Sequence, residues 1–218
     1  MYAAWSPHGG GSGEFAAGEE RERLVDAFTK VATERGYAHT GPDEVAAEAG
    51  LPRATFDSHF HDLSQCLLAA YDRFFDCLVG EIEDSMDLGA PWPEQVRAGI
   101  GAALGFVAES AAVARLFAVE APTIGAPAIN RYIAAVERIV ALLRLGRGRS
   151  AAAAALPPLS EAVMVAGAVS LVVAALLAEE QANLPQLEGQ LIEVLLLPYS
   201  AGTEGRQGDP GQVGREVG

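Results

Sequence analysis

Apolar residues recur at intervals of three and four along most of this chain, the spacing that places them on one face of an α-helix. Glycines and prolines interrupt this repeat and mark where helices end. The pattern predicts helices over residues 20–35, 40–50, 52–61, 63–86, 94–109, 111–120, 127–145, 159–180 and 187–197. No segment alternates apolar and polar residues with a period of two. We therefore expect an all-α protein with about nine helices, three in a small amino-terminal head and six in a larger body.

The two ends of the sequence lack this helical pattern. Residues 1–18 are rich in glycine and serine, and residues 201–218 have glycine at short intervals and few apolar side chains. Such segments bury too little apolar surface to offset the entropy of ordering, so we expect both ends to be disordered. The sequence between them divides into a head at residues 19–66 and a body at residues 67–200.

One segment of the body, residues 162–178, carries no charge over 17 residues and approaches the length of a membrane-spanning helix. Its flanks are acidic, with Glu161 before it and Glu179 after it, rather than the Lys and Arg typical of membrane anchors. A soluble helix that is buried on nearly every face explains this composition better, so we expect no membrane partner.

Composition narrows the function classes. The formal net charge of -14 argues against a chain that coats nucleic acid by bulk charge. Two cysteines, Cys66 and Cys77, make no disulfide framework and favour a reducing, cytoplasmic compartment. No phosphate loop, nucleophile–base pairing or zinc-ligand spacing is present. We therefore assign no catalytic residue, no metal site and no cofactor, and we do not expect an enzyme.

The stretch EVAAEAGLPRATFDSHFHD, residues 44–62, has the features of a helix-turn-helix. Ala46 is small where two helices would cross, and Gly50 tolerates the left-handed backbone conformation that a tight turn requires. Val45, Phe56 and Phe60 would hold the unit against the first helix. The outward face of the second helix of this unit would then carry polar and small residues, namely Arg53, Ala54, Asp57, Ser58 and His61.

Residues 20–67 resemble the DNA-binding domain of the TetR family of transcriptional regulators. The resemblance rests on Gly36, Tyr37, Thr40, Val45, Ala46, Ala49, Gly50, Leu51, Ala54, Thr55, Phe56, His59 and Phe60. The remainder of the chain agrees with the family in length and helical character. This resemblance implies a three-helix DNA-binding head, a ligand pocket in the body, and a homodimer formed by the last two long helices.

The resemblance implies that the DNA contacts are made by Thr40, Arg53, Ala54, Thr55, Asp57, Ser58 and His59. Three positions depart from the family pattern: Asp57 stands in place of a tyrosine, Leu63 in place of a lysine and Pro52 in place of a serine. Residues 19–67 also contain five basic against ten acidic side chains, a formal charge of -5. Because phosphate neutralisation supplies most non-specific affinity, we expect weak non-specific binding with a shallow salt dependence.

Two further sets of residues are assigned in the body. An apolar ligand pocket is predicted from Phe74, Leu78, Phe106, Phe117, Tyr132 and Met164, each of which would serve equally well as ordinary core. A dimer interface is predicted from Val163, Gly167, Ser170, Leu171, Ala174, Leu191, Val194 and Leu195. Small residues in 166–170 would allow close approach of a partner helix, and the alternative is burial of this helix within its own chain.

These observations favour a homodimeric DNA-binding repressor that a small apolar molecule releases from a palindromic, double-stranded operator. In that mechanism the ligand shifts the fourth helix and so changes the distance between the two heads. The departures at Asp57 and Leu63 keep open an alternative, a ligand-binding or protein-interaction module with weakened DNA binding. An all-helical enzyme would need a polar constellation in the body, and the sequence offers none.

Overall fold

The structure is a computed structural model and describes residues 12–149, 151–178 and 184–200. It contains ten α-helices over these residues and no strand, so the predicted all-α fold is confirmed. The helices are α1 (Ser12–Arg35), α2 (Pro42–Glu48), α3 (Arg53–His59), α4 (Leu63–Ser85), α5 (Trp92–Glu109), α6 (Ala111–Glu120), α7 (Ala126–Arg144), α8 (Ala151–Ala154), α9 (Ser160–Leu177) and α10 (Leu184–Ser200). Short 3₁₀ segments cover Tyr37–His39, Ala121–Ile124 and Leu145–Arg149.

The amino-terminal end differs from the sequence-based expectation. Residues 12–18, predicted to be disordered, form the first two turns of α1. Ala16 and Ala17 are strong helix formers, which favours a helix at this end. These local preferences outweigh the glycine-rich composition around them. The predicted disorder of residues 1–11 and 201–218 lies outside the described residues.

A second difference lies between α7 and α9, where the sequence predicts a loop. The structure instead forms the 3₁₀ segment Leu145–Arg149 and the single turn α8. Both are too short to show a hydrophobic repeat, and the alanines of α8 carry no periodic signal.

The head is built around α1. Leu24 and Phe28 of α1, Phe56 of α3 and Leu67 of α4 are fully buried or nearly so and form its centre. The helix-turn-helix is closed by backbone hydrogen bonds, including Leu51 N–H to the Ala46 carbonyl at 2.9 Å. Gly50 adopts a φ of 64° in this turn, as the sequence predicts. The first and second helices of the unit are therefore held in a fixed crossing.

Helix α4 joins the head to the body. It begins at Leu63, after the Asp62 carboxylate accepts a hydrogen bond from Gln65 N–H at 2.8 Å. Its amino-terminal half belongs to the core of the head, and Tyr71 in that half packs with Phe117 of α6. Its carboxyl-terminal half packs on α5 and α7 in the body. A single continuous core therefore runs from α1 into α6 and α7.

Helix α9 is less buried than the sequence predicts. Val165 and Leu176 are buried, whereas Val163 is 69% exposed and Leu171 is 49% exposed. The prediction of burial on nearly every face is wrong for a single copy of the chain, because α6, α7 and α10 cover only one side of α9. Over the described residues, α9 is long and apolar enough to cross a membrane, and α5 with α6 passes the same test as a pair bent by 85°.

Candidate DNA-binding surface and ligand cavity

Helix α3 presents one face to solvent. Arg53, Ala54, Asp57 and Ser58 are exposed on it, whereas Phe56 is 1% exposed and packs into the head. Residues 53 and 57 are four apart, as are residues 54 and 58, so the members of each pair share a face of the helix, whereas Phe56 lies on the other face. The exposure of these four side chains agrees with the sequence-based expectation, and their contact with DNA stays a prediction.

Arg53 is held between two carboxylates. Its Nε donates to Asp57 Oδ1 at 3.0 Å, and its Nη1 lies 3.0 Å from Asp43 Oδ1 of α2. The hydrogen bond that Arg53 donates to Asp57 is the main cause that raises the pKa of its guanidinium above the ordinary value, and the hydrogen bond to Asp43 is the second. The side chain is therefore fixed at the outer edge of α3, with its positive charge offset by two acids before any nucleic acid is present.

Two of the predicted DNA contacts are oriented differently. Thr40 is only 8% exposed, and its hydroxyl donates to the Gly36 carbonyl at 2.9 Å. It stabilises the end of α1 and the following turn, and its contact with DNA stays a prediction. The side chain of Thr55 is half-buried, and its carbonyl accepts a hydrogen bond from Ser58 Oγ at 2.7 Å.

His59 also turns away from the exposed face of α3. Its side chain is 15% exposed, and its Nε2 lies 3.4 Å from Glu20 Oε2 of α1. Because residue 59 follows Phe56 by three positions, both lie toward α1. The predicted contact of His59 with DNA is therefore not supported, and the histidine joins α3 to α1 instead.

Every basic side chain of the head has a partner within the head. Arg21 lies 3.5 Å from Glu22, Lys30 lies 2.5 Å from Glu48, and Arg35 lies 3.5 Å from Glu44. Arg23 donates to the Ala49 carbonyl at 2.5 Å, and Arg53 has the two acids described above. Such exposed pairs add little stability, but each partner competes with a phosphate for the same cation.

The body encloses an apolar cavity of about 660 Å³, within the usual range for small-molecule sites. Its walls come from α4, α5, α6, α7, α9 and α10. Among the described residues that line it, no side chain is charged. The polar side chains on the wall are Tyr71, Trp92, Gln95, Tyr132 and Ser170. The cavity therefore suits a molecule that is largely apolar.

Four of the six predicted ligand-binding residues line this cavity: Phe74, Leu78, Phe117 and Tyr132. Phe106 does not, because it packs against Phe74 from outside with ring centroids 5.2 Å apart. Met164 does not either, since it neighbours inward-facing Val165 and turns instead toward Leu156 and Leu159 in a separate shallow groove. Adjacent residues of a helix point in directions that differ by about 100°. A helical repeat alone therefore does not show which of two neighbours, such as Met164 and Val165, faces the cavity.

None of the six predicted ligand-binding residues belongs to the part of the wall that α5 supplies. Trp92, 5% exposed, is the first residue of α5, and Gln95, 1% exposed, lies one turn later. The amide Nε2 of Gln95 donates to the Ala90 carbonyl at 2.7 Å. The prolines on both sides of Trp92 indicated a loop, although a proline in the first turn is also a common start of a helix.

Behind Trp92, the end of the bundle is held by a buried ion pair. Glu161 is fully buried and binds Arg147 through two hydrogen bonds of 2.6 and 2.7 Å. Arg147 also donates to the Leu156 and Pro157 carbonyls, and the Tyr199 hydroxyl donates to the Leu143 carbonyl. The hydrogen bond from Arg147 is the main cause that lowers the pKa of Glu161. Residues of α7, α9 and α10 therefore meet at one polar cluster.

The outer side of α9 and α10 carries an apolar surface. Val163, Gly167, Leu171 and Val194 are exposed on it, as a dimer interface would require, whereas Ser170 and Ala174 are exposed but also border the cavity. Leu191 and Leu195 are not part of it, because they are 5% and 7% exposed and point into the cavity of their own subunit. They lie one turn apart on the inward face of α10, whereas Val194 and Leu197 lie on the outward face.

The chain has the fold of the TetR-family transcriptional regulators, a helix-turn-helix head on a helical body with a cavity, and the predicted resemblance is thereby confirmed for the fold. The fatty acid degradation regulator FadR of Bacillus halodurans superimposes with a TM-score of 0.71 at 16% identity, over 81% of this chain and 94% of that one. FadR of Bacillus subtilis, solved with stearoyl-CoA, gives 0.67 at 15% identity over 80% and 96%. A regulatory protein of the family from Rhodococcus gives 0.65 at 14% identity over 81% and 97%.

The sequence itself is similar to a curated regulator over a shorter range. It is 29% identical over 89 residues to the HTH-type transcriptional activator FasR of Mycolicibacterium smegmatis. The match spans 41% of this chain and 41% of that protein. No family model matches the sequence. These relatives are transcriptional regulators and none is described as an enzyme.

Proposed function

We propose that this protein is a cytoplasmic, homodimeric transcriptional repressor that binds a palindromic DNA operator and is released by a small apolar molecule. The observation that carries the proposal is the dual position of α4. Cys66 and Leu67 at its beginning are fully buried in the core of the head, while Phe74 and Leu78 further along line the cavity. One rigid helix therefore touches both the DNA-reading unit and the ligand site.

The coupling follows from that position. A ligand that fills the cavity presses on the middle of α4, and the buried beginning of α4 moves the head with it. Because two heads must match two half-sites about 34 Å apart, a small change in α4 alters affinity for the paired site. The ligand acts by favouring the arrangement of heads that does not fit the operator.

The outer surface of α9 and α10 supports the dimer. In a monomer this apolar face, with its several small residues, would be exposed to solvent. In a two-fold dimer the same face of the second copy covers it. Val163, Leu171 and Val194 then bury their exposed side chains, while Gly167 and Ala174 permit close approach of the two copies of α9. Pairing through α9 and α10 also accounts for the 18-residue apolar helix without lipid.

The relatives agree with an apolar ligand. One solved relative is named as a regulator of fatty acid degradation, and another holds stearoyl-CoA. The lining of the present cavity is mainly apolar, and each of the six helices that form it contributes apolar side chains. We therefore propose a ligand with an extended hydrocarbon part.

A second candidate function is a ligand-binding module with weakened DNA binding. It is favoured by the charge of the head, in which all five basic side chains already have partners and Asp57 faces outward. A carboxylate at this place repels phosphate, although it can accept a hydrogen bond from a cytosine amino group.

Binding to the DNA that flanks the protein's own gene separates the two candidates. Fluorescence anisotropy at low salt is expected to give saturable binding of the dimer, which Arg53→Ala abolishes. Arg138→Ala is the matched control, because Arg138 is exposed and paired with Asp76 far from α3. Absence of binding by a folded dimer would contradict the repressor and support the module.

A further inference from the structure

We propose that Tyr71 and Tyr132 form a polar end of the cavity and bind an uncharged oxygen of the ligand, a carbonyl or a hydroxyl. The hydrocarbon part of the ligand would extend from there toward Trp92. This inference rests on the proposed function in one respect, that the cavity holds the regulating ligand.

The first support is an unmatched phenol in an apolar wall. Tyr71 is 6% exposed and lines the cavity, and its ring packs against Phe75 and Phe117 at centroid distances of 4.7 and 5.3 Å. Over the described residues, neither the Tyr71 nor the Tyr132 hydroxyl makes a hydrogen bond within the protein. Among the described residues, the buried side-chain polar atom without a partner is Trp92 Nε1, so the two phenol hydroxyls are accessible rather than shut off in the core. A ligand atom in the cavity is the available partner.

The second support is the chemical state of Tyr71. Burial raises the pKa of Tyr71 to about 12, and the neighbouring Tyr132 and Asp72 contribute to the same shift. At neutral pH Tyr71 is therefore an uncharged donor, and Tyr132 is its neighbour on the cavity wall. Both residues belong to the side of the cavity next to the head, where Phe117, Ala121 and Ala128 surround them.

The third support is the absence of a cation from the described lining, which argues against an ionised ligand group. The arginines of α7 nearest to this end lie outside the cavity and already have partners. Arg131 Nε donates to Asp72 at 2.9 Å, and Arg138 Nη1 donates to Asp76 at 2.5 Å. A carboxylate placed against Tyr71 would lose its hydration without meeting a positive charge. An uncharged oxygen avoids that cost and still satisfies the phenols.

The opposite end of the cavity does not offer the same chemistry. There the amide Nε2 of Gln95 is committed to the Ala90 carbonyl, and the Trp92 ring edge that carries Nε1 faces Gly146. The surrounding side chains, among them Val96, Val165 and Leu195, are apolar. The cavity therefore has one polar and one apolar end, and this asymmetry sets the direction in which a ligand lies.

The test compares three probes of equal chain length, 1-dodecanol, dodecane and dodecanoate, by displacement of the neutral fluorophore N-phenyl-1-naphthylamine from the full-length dimer. The wild-type protein is expected to bind 1-dodecanol about fivefold more tightly than dodecane, the ratio that one net hydrogen bond supplies. Dodecanoate is expected to bind more weakly than 1-dodecanol.

Removal of the hydroxyls provides the decisive comparison. Tyr71→Phe and Tyr132→Phe keep the aromatic packing, and each is expected to reduce the preference for the alcohol over the hydrocarbon while the affinity for dodecane is unchanged. Tyr37→Phe is the control, because its hydroxyl lies in the head, 3.3 Å from Ser64 Oγ. Thermal melts of each variant establish that it is folded.

The outcomes distinguish this inference from the proposed function. Equal binding of alcohol and hydrocarbon, a preference unaffected by both phenylalanine variants, or tightest binding of dodecanoate contradicts the polar end and leaves the ligand cavity intact. Failure of all three probes and of the fluorophore to bind contradicts the ligand-binding part of the proposed function itself.

Discussion

At the scale of single residues, the acidic surroundings of Arg53 are the feature that separates this head from a strongly basic one. Asp57 occupies the Nε edge of the guanidinium and Asp43 approaches Nη1. An arginine that reads guanine must present two N–H groups to the base edge, so these acids both orient the side chain and compete with the base for it. Sequence alone indicated that Asp57 departs from the family pattern, but the link from Asp43 depends on how α2 crosses α3.

Asp57→Asn is expected to raise affinity for flanking DNA about fivefold at low salt, because it removes one outward charge and weakens the hold on Arg53. The dependence of affinity on salt should become steeper in the same variant. Both quantities are measured by anisotropy titrations over a range of ionic strength. Asp84→Asn, an exposed site on α4 in the body, is the charge-matched control, and an affinity for Asp57→Asn equal to that control would contradict the prediction.

A second residue-scale prediction concerns Gly146. A Cβ at this position would lie 2.4 Å from the ring of Trp92, closer than atoms approach in folded proteins. Gly146→Ala is therefore expected to lower the free energy of unfolding by roughly 1–3 kcal/mol, as overpacking does. Urea titration measures the change. Gly148→Ala lies in the same 3₁₀ segment with nothing within 4 Å, and a comparable loss there would show that close contact with Trp92 is not the cause.

At the scale of elements, the ends of α7, α9 and α10 are joined by the Glu161–Arg147 pair. Glu161 has no exposed surface, and its carboxylate receives both hydrogen bonds from the guanidinium of Arg147. Arg147 in turn satisfies carbonyls of the turn that precedes α9. This polar cluster determines where α9 begins, so it also positions the helix that we propose as the dimer interface.

Because the folded-state pKa of Glu161 lies below its ordinary value of 4.5, the pair stabilises the protein above that pH. The contribution should disappear as pH falls below 4.5 and through the folded pKa. Glu161→Gln is expected to lower the free energy of unfolding by ~3 kcal/mol at pH 7, since it leaves a partly buried guanidinium without its anion. Urea titrations between pH 3 and pH 7 test this, and a wild-type minus variant difference that stays constant with pH would contradict the assignment.

The helices that the sequence located well are those with a long apolar repeat or a clear stop. The prediction for residues 111–120 coincides with α6, and that for residues 63–86 differs from α4 by one residue. The start of α1 and the turn α8 were not predicted, because alanine-rich segments show no repeat of apolar residues on one helix face. His59, Leu191 and Leu195 were assigned to functional surfaces because a sequence shows which residues share a face, and only packing decides which face is buried.

At the scale of the whole molecule, an exposed apolar area lies where we propose that two subunits meet. Val163 is 69% exposed and Leu197 is 72% exposed, and they lie on the outer side of α9 and α10 with other exposed apolar residues. The acidic net charge keeps such a molecule in solution, while the patch selects a partner with the same face. In the proposed function, the dimer formed through this surface presents its two heads to the two half-sites of the operator.

Leu171→Glu is expected to convert the dimer to a monomer, because two negative charges would face each other across the two-fold axis. Sedimentation velocity measures the change in mass, and binding to a paired half-site should fall with it. Leu88→Glu places the same charge on a side chain that is 76% exposed in the connection between α4 and α5, and should leave the dimer intact. A dimer retained in Leu171→Glu would contradict the interface on α9.

The core of the head continues into the body around Tyr71, and this limits how heads and bodies of such proteins can be exchanged. Tyr71 of α4, Phe117 of α6 and Ala128 of α7 pack in the same cluster as Leu24 and Phe28 of α1. A chimera that transplants only residues 19–62 onto a foreign scaffold would cut through this cluster and leave apolar surface on both sides of the junction. Exchange of DNA specificity between members of this fold therefore requires α4 and the facing ends of α6 and α7 to be moved together with the head.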